Sequence, residues 1–270
     1  MSIELNKVYN EDCLETMSKM DNEFVDLTIT SPPYDDLRTY NNHVKGNETK
    51  YKGYSFPFEV IAKELYRITK KGGVVVWVVG DATHKGSETG TSFRQALFFK
   101  EIGFNIHDTM IYQKNNFSNP SSNRYHQIFE YMFILSKGKP KTFNSIKDRK
   151  NVYGGKQGSW GKNTVRQKDG TMKENSRKII SEYGQRYNIW IYKTSKNGQE
   201  DEIAYKHPAI FPTQMVRDHI KSWTNEGDVV YDPMAGSGTT GRASIMENRR
   251  FVLSEIVTEY YDLITKRLEI

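Results

Sequence analysis

Apolar residues along this chain alternate between continuous runs, which predict buried strands, and three-to-four-residue spacings, which predict helices. Lys7 to Asn10 is a short strand-like piece, and the amphipathic turn Cys13-Leu14-Glu15-Thr16-Met17 follows Asp12. Phe24 to Ile29 predicts a buried strand. A polar stretch rich in Asn, Gly, Lys and Tyr then runs to about Ser55, and loops of that length in compact domains are usually functional or disordered. Phe58, Ile61, Ala62, Leu65 and Ile68 predict a helix over Phe58–Thr69, which Lys70-Lys71-Gly72-Gly73 is expected to end. Val74 to Val79 is uninterrupted apolar sequence, the pattern of a strand covered on both faces. A helix over Ser92–Ile102, closed by Gly103, precedes two β runs, Asn105–Gln113 and Ile128–Leu135. Only about 14 residues without helical spacing separate those runs, so they are expected to be antiparallel neighbours.

From Ser136 onward periodicity fades into a region rich in Gly, Asn, Lys and aromatic residues. Past it, His207-Pro208-Ala209-Ile210-Phe211-Pro212 leads into a helix over Thr213–Thr224. Strand Asp228–Tyr231, a glycine loop, a helix, strand Phe251–Ser254 and a last helix complete the chain. Strand–helix alternation on both sides of the aperiodic region predicts an α/β fold: a doubly wound, mostly parallel sheet with an antiparallel hairpin. Residues 1–140 and 204–270 are expected to form the main domain and 141–203 an insertion.

Composition narrows the class. A chain of 270 residues suffices for one large α/β domain with an insertion. No apolar run approaches the roughly 20 residues of a membrane helix, and no basic-then-apolar segment opens the chain, so neither a membrane span nor a signal peptide is expected. Cys13 is the single cysteine, which excludes an intrachain disulfide and a cysteine-rich zinc site; no metal is expected. The net charge of +6 hides an asymmetry: Ser136 to Gln199 carries 16 Lys or Arg against 4 Asp or Glu. A segment that basic in an otherwise acidic chain points to a polyanionic partner.

Two stretches carry candidate chemistry. Thr30-Ser31-Pro32-Pro33-Tyr34 follows the predicted strand Phe24–Ile29. Neither proline offers an N–H to a sheet, so the chain leaves there as a stiff elbow, beyond the strand's carboxyl end where open α/β sheets place ligands. Alone, the stretch reads equally well as a rigid turn with a surface tyrosine. The second stretch is Asp232-Pro233-Met234-Ala235-Gly236-Ser237-Gly238-Thr239-Thr240, a strand running into an acid, a Gly-x-Gly loop and a helix start. Glycines let a ligand approach the backbone, and a helix N-terminus favours an anionic group. Glu255 ends the next predicted strand, seventeen positions beyond Gly238, where an acid can hold ribose hydroxyls.

Together, Ser-Pro-Pro-Tyr and Asp-Pro-x-Ala-Gly-Ser-Gly-Thr-Thr resemble the two signature motifs of the amino-directed DNA methyltransferases, which methylate N4 of cytosine or N6 of adenine from S-adenosylmethionine. The catalytic motif comes first and the basic segment lies between the two, an order that resembles the β group. That resemblance implies the S-adenosylmethionine-dependent methyltransferase fold in circularly permuted form, with the basic insertion as target-recognition region. It implies that Gly236, Ser237 and Gly238 wrap the methionine part of the cofactor, with Pro233 and Ala235 in the same loop and Asp232 near the amino group. Thr239 and Thr240 would cap the helix and bind the carboxylate, Glu255 the ribose, and Asp12 with Cys13 the adenine. Phe211, Pro212 and Thr213 would line the far side of the methionine pocket, with Thr30 beside the catalytic motif. Met234 stands where the family usually has phenylalanine, and its flexible thioether can fill the same wall.

The chemistry of the first motif follows from its groups. An exocyclic amino nitrogen is a poor nucleophile, and acceptors around its N–H bonds stabilise the charge it develops; the Ser31 hydroxyl and Pro32 carbonyl are the candidates, with Tyr34 stacking on the base. Such a base must be flipped out or single-stranded. Arg38 from the polar loop and Lys156, Lys162, Arg166, Lys168, Arg177 and Lys178 from the insertion are the candidate DNA contacts. Trp160, Tyr183 and Trp190 are expected to pack a small subdomain rather than stack on bases. Serine in the first position resembles the family's cytosine-N4 enzymes more than its adenine-N6 ones, which implies N4 of cytosine as the favoured target over N6 of adenine. RNA or protein-glutamine methylation and an inactive nucleic-acid-binding module are the competing readings. A cytoplasmic protein of prokaryotic or phage origin is implied, monomer or homodimer, with DNA and a cognate restriction endonuclease as candidate partners.

Overall fold

The computed structural model describes residues 3–33, 56–117, 120, 122–158, 164–174, 179–193 and 211–269. In chain order the elements are β1 (Lys7–Tyr9), α1 (Cys13–Ser18), β2 (Val25–Thr30), α2 (Phe58–Ile68), β3 (Thr69–Val79), β4 (Thr83–His84), β5 (Ser87–Glu88), α3 (Thr91–Glu101), β6 (Asn105–Lys114) and β7 (Phe129–Ser136). There follow β8 (Arg149–Lys150), β9 (Thr164–Arg166), β10 (Met172–Glu174), β11 (Tyr183–Gly184), β12 (Ile189–Tyr192), α4 (Thr213–Trp223), β13 (Val229–Asp232), α5 (Thr239–Met246), β14 (Arg250–Ser254) and α6 (Thr258–Leu268).

Among the described residues the main sheet has eight strands in the order β1-β14-β13-β2-β3-β7-β6-β12. The first five run parallel to one another, β7 is antiparallel to both β3 and β6, and β12 is parallel to β6. The expected β6–β7 hairpin pair is present, set beside β3. Strand β3 lies mid-sheet with Val74 to Val79 buried on both faces, as its unbroken apolar run requires. On one face, Ile61, Leu65 and Ile68 of α2 and Phe99 of α3 pack against Trp77 and Val75. The Trp77 ring meets Phe99 edge-on at 5.1 Å, and its buried indole N–H donates to Gln95 Oε1 at 2.9 Å. Helix α4 packs against β2 and β3 as well as α5. Phe251 and Leu253 of β14 meet Ile264 and Leu268 of α6 in a smaller cluster.

Two local expectations change. Helix α2 ends at Ile68, where the Thr69 hydroxyl donates to the Leu65 carbonyl at 2.6 Å. Lys70-Lys71-Gly72-Gly73, expected as the helix end, instead begins β3, with a register shift opposite Val25/Leu27. Gly73 is required there because a Cβ would stand 2.9 Å from the Lys70 carbonyl and 3.1 Å from that of Asp26. Ile189–Tyr192, read as part of the aperiodic basic region, is an edge strand of the main sheet. Its alternation is hidden among charged residues: Trp190 is buried on the His219 ring at 4.5 Å, while Ile189 and Ile191 are exposed. Trp190 is therefore a packing residue of the main sheet.

By contact the chain divides into two units, Met1–Asn144 with Asn188–Ile270, and Ser145–Tyr187. Within the smaller unit β8 pairs with β11, and β9 with β10 in an antiparallel hairpin. Asp169 closes that hairpin by accepting from the Thr171 amide at 3.0 Å, with Gly170 at φ +85. Arg186 pairs with Asp148, and the Arg149 guanidinium sits over the Tyr187 ring at 4.6 Å. Among the described residues no helix is long and apolar enough to cross a membrane, and no group of three or more His, Cys, Asp or Glu could hold a metal.

Candidate active site

Strand order reverses between β13 and β2: from β2 the chain crosses through α2 to β3 on one side, and from β13 through α5 to β14 on the other. A crevice opens at the carboxyl ends of strands at such a reversal. The two sequence motifs meet there. Val230 pairs with Leu27 and Tyr231 with Thr28, so Asp232 and Thr30 end adjacent strands on the same side of the sheet. Thr30 is fully buried, Ser31 and Pro33 half-buried and Pro32 buried. Helix α4 leads into the parallel strand β13 and so starts at this same end, with buried Pro212 and Thr213 and half-buried Phe211 at its beginning.

Asp232 is 2% exposed. The Thr240 hydroxyl donates to its Oδ2 at 2.6 Å and the Met234 amide to its Oδ1 at 3.1 Å. Burial pushes its carboxyl up to about 6, against the opposing hydrogen bonds from Thr240 and the Met234 amide. The loop after it is held by the neighbouring strand: the Ala235 amide donates to the Ser254 carbonyl at 3.0 Å, and the Gly236 amide to Glu255 Oε2 at 2.8 Å. Oε1 of Glu255 accepts from the Val257 amide at 2.9 Å. Burial again dominates and pushes the Glu255 carboxyl up to about 7, with Asp232 adding a smaller like-charge contribution. Gly238 sits at φ +77, and a Cβ there would stand 2.7 Å from Ile264 Cγ2, so both the backbone and the space demand glycine.

The threonines depart from the expected capping role. Gly238 is the N-cap of α5 and no side chain caps it. Thr240 bonds Asp232, and Thr239 shares a hydrogen bond of 3.2 Å with Ser237. Asp12 caps α1, its Oδ1 accepting from the Leu14 amide at 2.8 Å. Cys13 is buried and its thiol is pushed up to about 12, chiefly by burial, which leaves no thiolate for nucleophilic work near neutrality. Met234 packs partly buried against the core on the α2–α3 side of the sheet. In the smaller unit Lys156, Arg166 and Lys168 are exposed. Tyr34, Arg38, Lys162, Arg177, Lys178, Trp160 and His207 lie outside the described residues.

Sequence reading missed three contributors. The Tyr9 carbonyl accepts from the Glu255 amide at 3.0 Å, and the Asn10 side-chain amide donates to the Glu255 carbonyl at 2.9 Å. Arg267, 4% exposed, donates to the Ser237 carbonyl at 2.8 Å. Asn10 gave no signal beyond ending a strand, and Arg267 reads in sequence as an ordinary basic residue in a helix's last turn.

Comparison with known proteins fits this geometry. The orphan methyltransferase M.BamHII of Bacillus amyloliquefaciens is 56% identical over 248 residues, covering 91% of this chain and 89% of that one. The cytosine-N4-specific PvuII DNA methyltransferase shares the fold at TM-score 0.68 and 19% identity, over 98% of this chain and 87% of that one. M1.HpyAVI in complex with SAM does so at TM-score 0.60 and 22% identity, over 97% and 99%. Residues 25–266 match the DNA methylase family of the N6/N4 type. The chain belongs to that family.

Proposed function

We propose that this DNA methylase transfers the methyl group of S-adenosylmethionine to the exocyclic amino nitrogen of a flipped DNA base, with N4 of cytosine the favoured target. The observation that carries the reading is the meeting of Thr30-Ser31-Pro32-Pro33 and Asp232-to-Thr240 at one border of the sheet. The residues present fit the cofactor's charges. Two buried acids, Asp232 and Glu255, offer acceptors for an ammonium group and ribose hydroxyls, around a loop that glycine keeps free of side chains. Bound there, S-adenosylmethionine would supply a methyl group made electrophilic by its sulfonium.

The chain's own work is then positioning and electrostatics. The Ser31 hydroxyl oxygen and the Pro32 carbonyl accept from the amino group, stabilising the charge that develops as its nitrogen bonds the methyl carbon and the carbon–sulfur bond breaks. Buried Pro32 fixes the backbone that presents both acceptors. The surplus proton on the methylated nitrogen is acidic and leaves to water, so no general base is needed. Tyr34 stacks on the extruded base. Lys156, Arg166 and Lys168, with Lys162, Arg177, Lys178 and Arg38, neutralise phosphates, and the basic region serves target recognition. Serine at the head of the motif favours cytosine, since the family's adenine enzymes more often carry Asp or Asn there. Single-molecule sequencing of DNA treated with the protein tests this: modified cytosines within one short sequence are expected, modified adenines would move the target to N6, and unmodified DNA would overturn the activity.

A further inference from the structure

Arg267 belongs to no motif, yet it is 4% exposed and its Nη1 makes three hydrogen bonds to the glycine loop. It donates to the Ser237 carbonyl at 2.8 Å, Ser237 Oγ at 3.3 Å and Thr239 Oγ1 at 3.0 Å. One turn earlier on α6, Ile264 lies against Gly238 so closely that a Cβ there would clash at 2.7 Å. Helix α6 thus clamps the loop from behind at two points, one apolar and one cationic. The guanidinium stays charged at any physiological pH. Burying a permanent charge is costly, and an apolar side chain could pack the same helix, so packing alone does not account for arginine here.

We propose that Arg267 is a positioning residue for the cofactor's carboxylate: it shapes the Ser237–Thr239 backbone and places a positive charge behind it. This rests on the reading of the loop as the S-adenosylmethionine site. The charge arrangement supports it. S-adenosylmethionine carries one anion, the carboxylate, and the loop that would meet it is backed by a buried cation, Arg267, which leaves Asp232 for the ammonium group and Glu255 for the ribose. The N-terminus of α5 adds its own partial positive charge, and a cation behind it strengthens the field that a carboxylate meets.

Titration calorimetry of S-adenosylmethionine against decarboxylated S-adenosylmethionine isolates this role. The wild type is expected to prefer the intact cofactor at least tenfold. In Arg267→Gln and Arg267→Met that preference should shrink below threefold, with affinity for the decarboxylated compound within threefold of wild type; Arg267→Lys should keep most of the preference. Equal loss for both ligands in the neutral variants would mean a purely structural arginine, and a wild type without the preference would overturn the proposal outright. Should both neutral variants fail to fold, the lysine variant decides, and loss of the preference there overturns it. A wild type that binds neither ligand would instead remove the cofactor reading beneath.

Discussion

Glu255 Oε2 accepts the Gly236 amide at 2.8 Å, tying the end of β14 to the apex of the glycine loop. The same carboxylate is buried, with its ionisation pushed up to about 7, while Asp232 beside it sits at about 6. Cofactor ammonium and hydroxyl groups favour the ionised forms of both acids. Affinity for S-adenosylmethionine should therefore fall below pH 7, by up to tenfold per unit for each acid protonated. Calorimetry between pH 5.5 and 8.5 checks this; affinity independent of pH would contradict it. Without ligand the sign reverses. The folded protein holds protons that the unfolded chain has lost, so stability should fall as pH rises from about 4.5 to about 7, by about 3 kcal/mol at most for Glu255.

Gly238→Ala and Gly227→Ala separate backbone strain from crowding. Both glycines have positive φ, +77 and +81, but only at Gly238 does a Cβ meet a neighbour. Gly227→Ala should cost about 1 kcal/mol, the strain of a left-handed alanine, and Gly238→Ala roughly 1–3 kcal/mol more as Ile264 is displaced. Denaturant melts give both values. Cofactor affinity should fall only in the Gly238 variant; equal stabilities would refute the close approach.

Ser31→Ala should lower kcat at least a hundredfold and leave the dissociation constant of S-adenosylmethionine within about threefold, as expected when one acceptor for developing charge is removed. Single-turnover methyl transfer measured alongside calorimetry tests the pair. A variant with wild-type turnover would remove Ser31 from the acceptor role.

Much of this was legible because the residues announce their constraints locally. The unbroken run Val74–Val79 can only be a strand buried on both faces, and Gly-x-Gly between a strand and a helix marks a turn where side chains do not fit. What was hidden depends on partners distant in sequence. Thr69 to Gly73 looks like a helix end until β2 offers a ladder for it. Ile189–Tyr192 looks aperiodic until β6 pairs with it. Arg267 looks like solvated charge until α6 carries it against a loop 30 positions earlier in the chain. Thr240 reads as a cap, yet its hydroxyl goes to Asp232, because Gly238 already ends the loop in a left-handed conformation.

The exposed cations Lys156 and Lys168 test the assignment of the basic region. If each neutralises one phosphate, the double variant Lys156→Ala/Lys168→Ala should reduce the slope of log affinity against log salt by roughly 1.8, while cofactor affinity is unchanged. Fluorescence anisotropy with a duplex over 50–300 mM salt reads the slope. A slope equal to wild type would move the phosphate contacts elsewhere.

The central claim concerns one bond, from a ring amino nitrogen to a transferred methyl carbon. DNA incubated with the protein and S-adenosylmethionine bearing a trideuterated methyl group, then digested to nucleosides and resolved by mass spectrometry, reports that bond directly. The expected product is N4-methylcytosine carrying the full deuterium label, absent from the Ser31→Ala reaction. Label on carbon 5 of cytosine, or in no nucleoside at all, would contradict the account; label on N6 of adenine would keep the mechanism and overturn the base.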